Sequence, residues 1–74
     1  MRLNELKPKE SCRIIKIHGS GTTFRRLLDM GCLRGEKIIV SKVAPLGDPM
    51  DIIIRGYHLS LRKNEAKEIE IEKL

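Results

Sequence analysis

Few side chains in this sequence could do chemistry. They are Cys12, Cys32, His18 and His58, with Ser60 two positions beyond His58 and carboxylates at Asp48, Asp51, Glu68, Glu70 and Glu72. A metal held by one element needs ligands at a short repeat, such as Cys-x-x-Cys or His-x-x-x-His, which turns two side chains onto one ion. No such pair is present. Cys12 opens an aliphatic run and Cys32 follows a helical stretch, so both read as small buried hydrophobes. His18 stands before Gly19, and His58 lies on the outward face of an alternating run. These four, with exposed carboxylates beside them, are the candidates for a weak or transient divalent ion, and no cofactor is expected. Nucleophilic catalysis needs a base beside the nucleophile and a third group to orient that base. Ser60 and His58 share a strand face but have no third partner. Asp48 and Asp51 lie in and just after a turn, where aspartate commonly bonds the neighbouring backbone. Gly19-Ser20-Gly21 precedes a helix but lacks the Gly-Lys-Ser/Thr ending of a phosphate loop. No enzymatic activity is expected.

The elements that would position these groups are short. The segment up to Ser11 reads as an arm, with Leu3 and Leu6 docking onto the body. Cys12–His18 is rich in β-branched residues and stops at Gly19-Ser20-Gly21, so it reads as a strand. Thr22 and Thr23 offer N-cap hydroxyls, and Phe24, Leu27 and Leu28 recur at i, i+3, i+4, the stripe of an amphipathic helix. Gly31 suits the left-handed residue that ends it. Strands follow at Lys37–Val43, Met50–Arg55 and Tyr57–Leu61, with turns at Pro45–Pro49 and Gly56, and Arg62–Ala66 reads as a helical turn. In the last strand Ile69 and Ile71 point inward, while Glu68, Glu70 and Glu72 point to water. The expected core is Ile15, Ile17, Phe24, Leu27, Leu28, Ile38, Val40, Ile52, Ile54, Leu59, Leu61, Ile69 and Ile71. Period alone cannot phase the continuous apolar runs.

Five short strands with closely spaced turns favour a small barrel, since closure removes aggregation-prone edges. A chain of 74 residues reads as one domain over residues 1–74. It is small enough to bury only about 60% of its unfolded surface. Apolar runs such as Ile52-Ile53-Ile54 fall far short of the ~20 residues a membrane helix needs. Leu3–Lys9 has no apolar stretch of the kind a secretion signal uses, so a soluble chain is expected. Two cysteines are too few for a secreted disulfide scaffold, which points to reduced thiols and a cytoplasmic address.

Three segments carry a resemblance. They are Leu28-Asp29-Met30-Gly31-Cys32-Leu33-Arg34-Gly35, Ala44-Pro45-Leu46-Gly47-Asp48-Pro49, and the run from Gly56-Tyr57-His58 to Asn64-Glu65-Ala66. In this order and at these distances the chain resembles the FeoA family of small ferrous iron transport proteins, from Leu6-Lys7-Pro8 through Ile71. Arg34 stands where that family commonly has a proline, and Cys32 where it has an apolar or small residue. The resemblance implies an SH3-like β-barrel of about five strands with one short helix inserted after the first. It also implies an accessory, regulatory part in ferrous iron uptake, through contact with the cytoplasmic side of FeoB, the membrane transporter that carries a GTPase domain. No membrane insertion of this chain itself is implied.

The expected contact surface is the exposed helix face with Arg25 and Arg26, the adjoining Arg34 turn, and the hairpin tip Leu46-Gly47-Asp48. An apolar side chain at a loop tip either anchors a partner within a ring of charge or folds back over a barrel end. For Leu46 the sequence leaves both open. The competing partner is nucleic acid, suggested by a net charge of +5 and by Arg25, Arg26, Arg34, Arg62 and Lys63. Single-strand binding stacks bases on exposed aromatics, and only Tyr57 is available for that. Glu68, Glu70 and Glu72 add a repelling face, so nucleic acid is disfavoured. A related alternative is a metal-dependent transcriptional regulator as the partner, because such repressors carry a similar barrel. Two aromatics cannot line a proline-rich peptide groove. A free strand edge would permit weak self-association.

Overall fold

The computed structural model describes residues 1–74. After a single 3-10 turn at Leu3–Glu5, the chain runs through β1 (Ser11–Ile17), α1 (Gly21–Asp29), β2 (Lys37–Val43), β3 (Met50–Ile54), β4 (Tyr57–Leu61), α2 (Lys63–Ala66) and β5 (Ile69–Lys73). All strand pairs are antiparallel, in the order β4-β3-β2-β1-β5. The architecture is the expected mainly-β, SH3-like one, but hydrogen bonding does not close the barrel, since β4 and β5 are not paired. No helix is long and apolar enough to cross a membrane.

One cluster of buried apolar side chains fills the interior, built from alternate positions of every strand: Cys12 and Ile14, Ile38 and Val40, Met50, Ile52 and Ile54, Leu61, and Ile69 and Ile71. Each such aliphatic side chain contributes about 1.5–3 kcal/mol by leaving water. Leu27, Cys32 and Ala66 join it from outside the strands, and Leu3 and Leu6 do so too, so the N-terminal arm docks as its two leucines required.

Three sequence expectations need correction. Ile15, expected in the core, is 37% exposed, and Ile14 takes the inward position. The pairing of β1 with β5 slips between Ile14 and Lys16, leaving Ile15 as the extra residue of a bulge. Beyond it Ile17 turns back toward the core. A strand that changes phase part-way cannot be phased by a period of two. Phe24 and Leu28 are half-buried, because Leu27 alone on α1 points straight into the core. Thr22 and Thr23 do not cap α1: the helix begins at Gly21, with Ser20 at the cap position and no side-chain bond to the helix.

The C-terminal end of α1 is tightly specified. Gly31 has φ +90°, its N–H donates to the Leu28 carbonyl at 3.0 Å, and the Cys32 N–H donates to that of Leu27 at 3.0 Å. This pair of bonds is the Schellman arrangement, and it needs a residue tolerant of left-handed backbone at its centre. The turn delivers Cys32 into the core, where it is 0% exposed beside an equally buried Leu27. The Tyr57 hydroxyl donates to the Met30 carbonyl and ties this end of the helix to β4.

Candidate functional site

The inserted helix lies across the sheet so that a groove of about 440 Å³ opens between α1 and β1. Ile15, Ile17, Phe24 and Leu28 form its apolar wall, and Lys16, Arg34 and Glu70 line the rest. Two departures from the expected core therefore meet at one place. The bulge turns Ile15 outward, and the helix leaves Phe24 and Leu28 beside it, so side chains expected to meet inside the core meet in a surface groove. Leu33, 40% exposed, lies next to Arg34 in the chain and adds apolar surface at the same turn. Arg25 is exposed and follows Phe24 on the helix. Neither Arg25 nor Arg34 forms a salt bridge.

The other expected contact residues sort differently. Arg26 is tied to the Glu65 carboxylate, a side chain only 5% exposed. The second oxygen of Glu65 accepts the Arg62 N–H at 2.9 Å, so one buried carboxylate both starts α2 and holds α1 to it. The Asp48 carboxylate accepts the Lys63 N–H at 3.0 Å and pins the β2–β3 turn to the start of α2. Asp51 bonds the His58 ring across β3 and β4 at 3.0 Å. The local turn bonds expected for these two aspartates are replaced by long-range ones. Leu46 is 90% exposed, so it does not fold back over the barrel, and Gly47 beside it has φ +81°. Leu46 and Arg34 flank opposite ends of β2, which separates them by about 20 Å at 3.3 Å per residue. The expected residues thus fall in two separate places: the exposed helix face with Arg25 and the Arg34 turn, which borders the groove, and the hairpin tip with Leu46.

The metal candidates do not converge. His18 pairs with Glu70 at 2.6 Å and His58 with Asp51 at 3.0 Å, each a single imidazole with a single carboxylate. No three side chains of the ligating types come together. His18 lowers the Glu70 carboxyl below its ordinary value chiefly by hydrogen bonding to it. Cys12 and Cys32 are fully buried, and burial pushes each thiol up to about 11, with the Glu65 charge adding to the effect at Cys32. They are core residues in the thiol form, not thiolate ligands.

Glu65 was not singled out in the sequence. Its signal was present, since a carboxylate at the third helical position is the residue that reaches back to the first free N–H. In a helix of four residues there is little else to hold that turn.

The FeoA domain family model matches residues 1–73. The chain belongs to the FeoA family. It is 40% identical over 72 residues to a fusion protein of Fe(2+) transport protein A with the Fe(2+) transporter FeoB from Porphyromonas gingivalis. That match takes in 97% of this chain but only 8% of the fusion protein's length. Among solved structures, an FeoA-like protein from Clostridium acetobutylicum is 43% identical with a TM-score of 0.93, over 100% of this chain and 86% of that one. A zinc complex of FeoA from Stenotrophomonas maltophilia, described as a prokaryotic SH3 domain protein, is 26% identical with a TM-score of 0.85, over 97% of this chain and 89% of that one. The FeoA family is linked to ferrous iron transport, and in the P. gingivalis protein its domain is part of one polypeptide with FeoB. The expectation drawn from Leu28–Gly35, Ala44–Pro49 and Gly56–Ala66 therefore holds at the level of family and fold.

Proposed function

We propose that this chain is an accessory and regulatory subunit of ferrous iron uptake. It acts as one non-enzymatic module, in the cytoplasm, by docking on the cytoplasmic part of an FeoB-type GTPase transporter. The observation that carries this reading is the fusion in P. gingivalis, where a domain 40% identical to this chain shares a polypeptide with the transporter. Two components joined in one chain in one organism commonly work as a complex where they are separate. The docking residues are Arg25 on the exposed helix face, Arg34 with the groove it lines, and Leu46 at the hairpin tip with Gly47 shaping it. Arg26 and Asp48 support this surface from below by fixing α1 and the hairpin to α2. Apolar side chains ringed by unpaired cations suit a partner surface that offers apolar and acidic groups.

The choice of a protein over nucleic acid rests on Tyr57. It is 43% exposed, but it is the one exposed aromatic of the chain, so a strand of bases would find no second ring to continue onto. The test is titration with the soluble GTPase portion of the matching transporter at near-physiological salt, with single-stranded and duplex DNA in parallel. Salt-resistant binding to the transporter portion is expected, weakened by Leu46→Asp and by Arg25→Glu. Leu46→Asp should leave the unfolding free energy within about 0.5 kcal/mol of the parent, as an exposed substitution does. Binding to DNA alone, fading steeply with salt, would overturn the proposal.

A further inference from the structure

The two free edges of the sheet are treated differently. The edge of β5 is covered by the chain's own arm: the Ile71 N–H donates to the Met1 carbonyl at 2.7 Å, and Arg2 bridges Glu70. The edge of β4 has no such cover. Nor does β4 carry the usual protections of an exposed edge, because Tyr57-His58-Leu59-Ser60-Leu61 holds no proline, no lysine and no bulge. Its pairing with β3 is regular over all five residues.

Which backbone groups are free follows from the hairpin. Arg55 and Gly56 have φ of +52° and +81°, so the β3–β4 connection is a two-residue type I′ turn. Such a turn is closed by a hydrogen-bonded pair, here Ile54 and Tyr57. Alternation then directs the N–H and C=O of Tyr57, Leu59 and Leu61 toward β3. Those of His58 and Ser60 point outward, away from the sheet.

We propose that β4 pairs with β4 of a second copy of this chain, antiparallel about a two-fold axis at Leu59. In that register His58 faces the partner's Ser60 and Ser60 faces the partner's His58. The four outward groups of each copy are then satisfied by four hydrogen bonds, and the next symmetric registers leave some of them unmet. Leu59 meets the partner's Leu59 as a non-hydrogen-bonded pair, with Cα atoms about 4.5 Å apart. No like charges are opposed along the five residues. His58, the one titratable side chain on the outer face of the strand, is already paired with Asp51 on β3. A five-residue edge buries little area, so the dimer is a weak one that forms at high local concentration.

The register is tested by oxidative cross-linking at millimolar concentration. Leu59→Cys is expected to yield a covalent dimer, and Ser60→Cys, which faces the partner's His58, is not. The native thiols are buried and do not interfere. Ser60→Pro removes an outward N–H that β3 does not use, a change edge strands tolerate. It deletes two of the four bonds and is expected to raise the dimer dissociation constant about thirtyfold in sedimentation, at roughly 1 kcal/mol per bond. A wild-type chain that stays monomeric at millimolar concentration would overturn the proposal. So would equal cross-linking of the two cysteine variants, or undiminished dimer in a folded Ser60→Pro. Protection of the His58 and Ser60 amides only when transporter is added would assign the edge to that partner and overturn the second copy as its occupant. If Ser60→Pro fails to fold, the cysteine pair decides.

Discussion

The pair Arg26–Glu65 gives the sharpest quantitative expectation. The Glu65 side chain is 5% exposed and has two partners, the Arg62 N–H on one oxygen and the Arg26 guanidinium on the other. Arg26→Ala removes the second and leaves a carboxylate in the protein body with one neutral donor. A hydrogen bond to a charged group contributes about 1.5–3 kcal/mol, and breaking a fully buried pair costs about 3–5 kcal/mol. Here the arginine is 48% exposed, so water can reach the vacated oxygen and the lower range applies, about 2 kcal/mol. With an unfolding entropy of about 2.1 cal/mol/K per residue, that is a fall of about 13 °C in Tm for a chain of this length. Glu65→Gln keeps the bond to Arg62 and removes the charge, so the double variant should be more stable than the sum of single effects predicts, by about 1–2 kcal/mol. Arg25→Ala, one position away and unpaired, should lie within about 0.5 kcal/mol of the parent. Calorimetry of the parent and the four variants reads all of this directly. Equal effects of Arg26→Ala and Arg25→Ala, or strict additivity in the double variant, would refute the reasoning.

Four further outcomes rest on individual side chains or pairs. Gly31→Ala should lose about 1–2 kcal/mol in chemical denaturation, because φ is +90° and the new methyl would meet the Tyr57 hydroxyl at 3.2 Å. Cys12 and Cys32 should resist thiol reagents in the folded chain and react at ordinary rates once it is unfolded. Because their folded values are raised to about 11 from 9.0, the unfolded chain releases its protons first and stability should fall as pH rises from 9 to 11, a slope that Cys12→Ala reduces. At the acid end, Lys73 lowers the Glu10 carboxyl by hydrogen bonding, and His18 does the same for Glu70, both below the ordinary 4.5. Their contribution is present above pH 4.5 and lost as pH falls through the lowered values, so Glu10→Gln and Glu70→Gln should each flatten the acid limb of a Tm–pH profile.

The parts of this fold that were legible in the sequence are those fixed by local chemistry. Gly31 ended the helix where its left-handed backbone requires, the strand limits Lys37–Val43 and Tyr57–Leu61 fell as their turns demanded, and Leu3 and Leu6 docked. The parts that were not legible depend on pairings distant in sequence. The bulge at Ile15 exists only in relation to β5, and it alone decides which face of β1 is buried after Ile14. Phe24 and Leu28 carry the same stripe as Leu27, but only the position of α1 over the sheet separates core from groove. Asp48 looked like a local turn residue, and its partner is 15 residues away.

The arginines illustrate why exposure and charge alone do not define a contact surface. Arg25 and Arg26 are adjacent in sequence, equally basic and both solvent-accessible, yet the helical turn of about 100° between them leaves one free in solvent and sends the other onto Glu65. Loss of transporter binding in an Arg26 variant would therefore report displacement of α1, with the groove it walls, as much as loss of a contact. An Arg25 or Arg34 variant has no such internal partner to lose. The same distinction divides the hairpin, where Asp48 fastens the turn to α2 while Leu46 projects from it. If docking uses this face, its energetic centre lies with Arg25, Arg34 and Leu46, and Arg26 and Asp48 matter because they hold two distant patches on one rigid body through the four residues of α2.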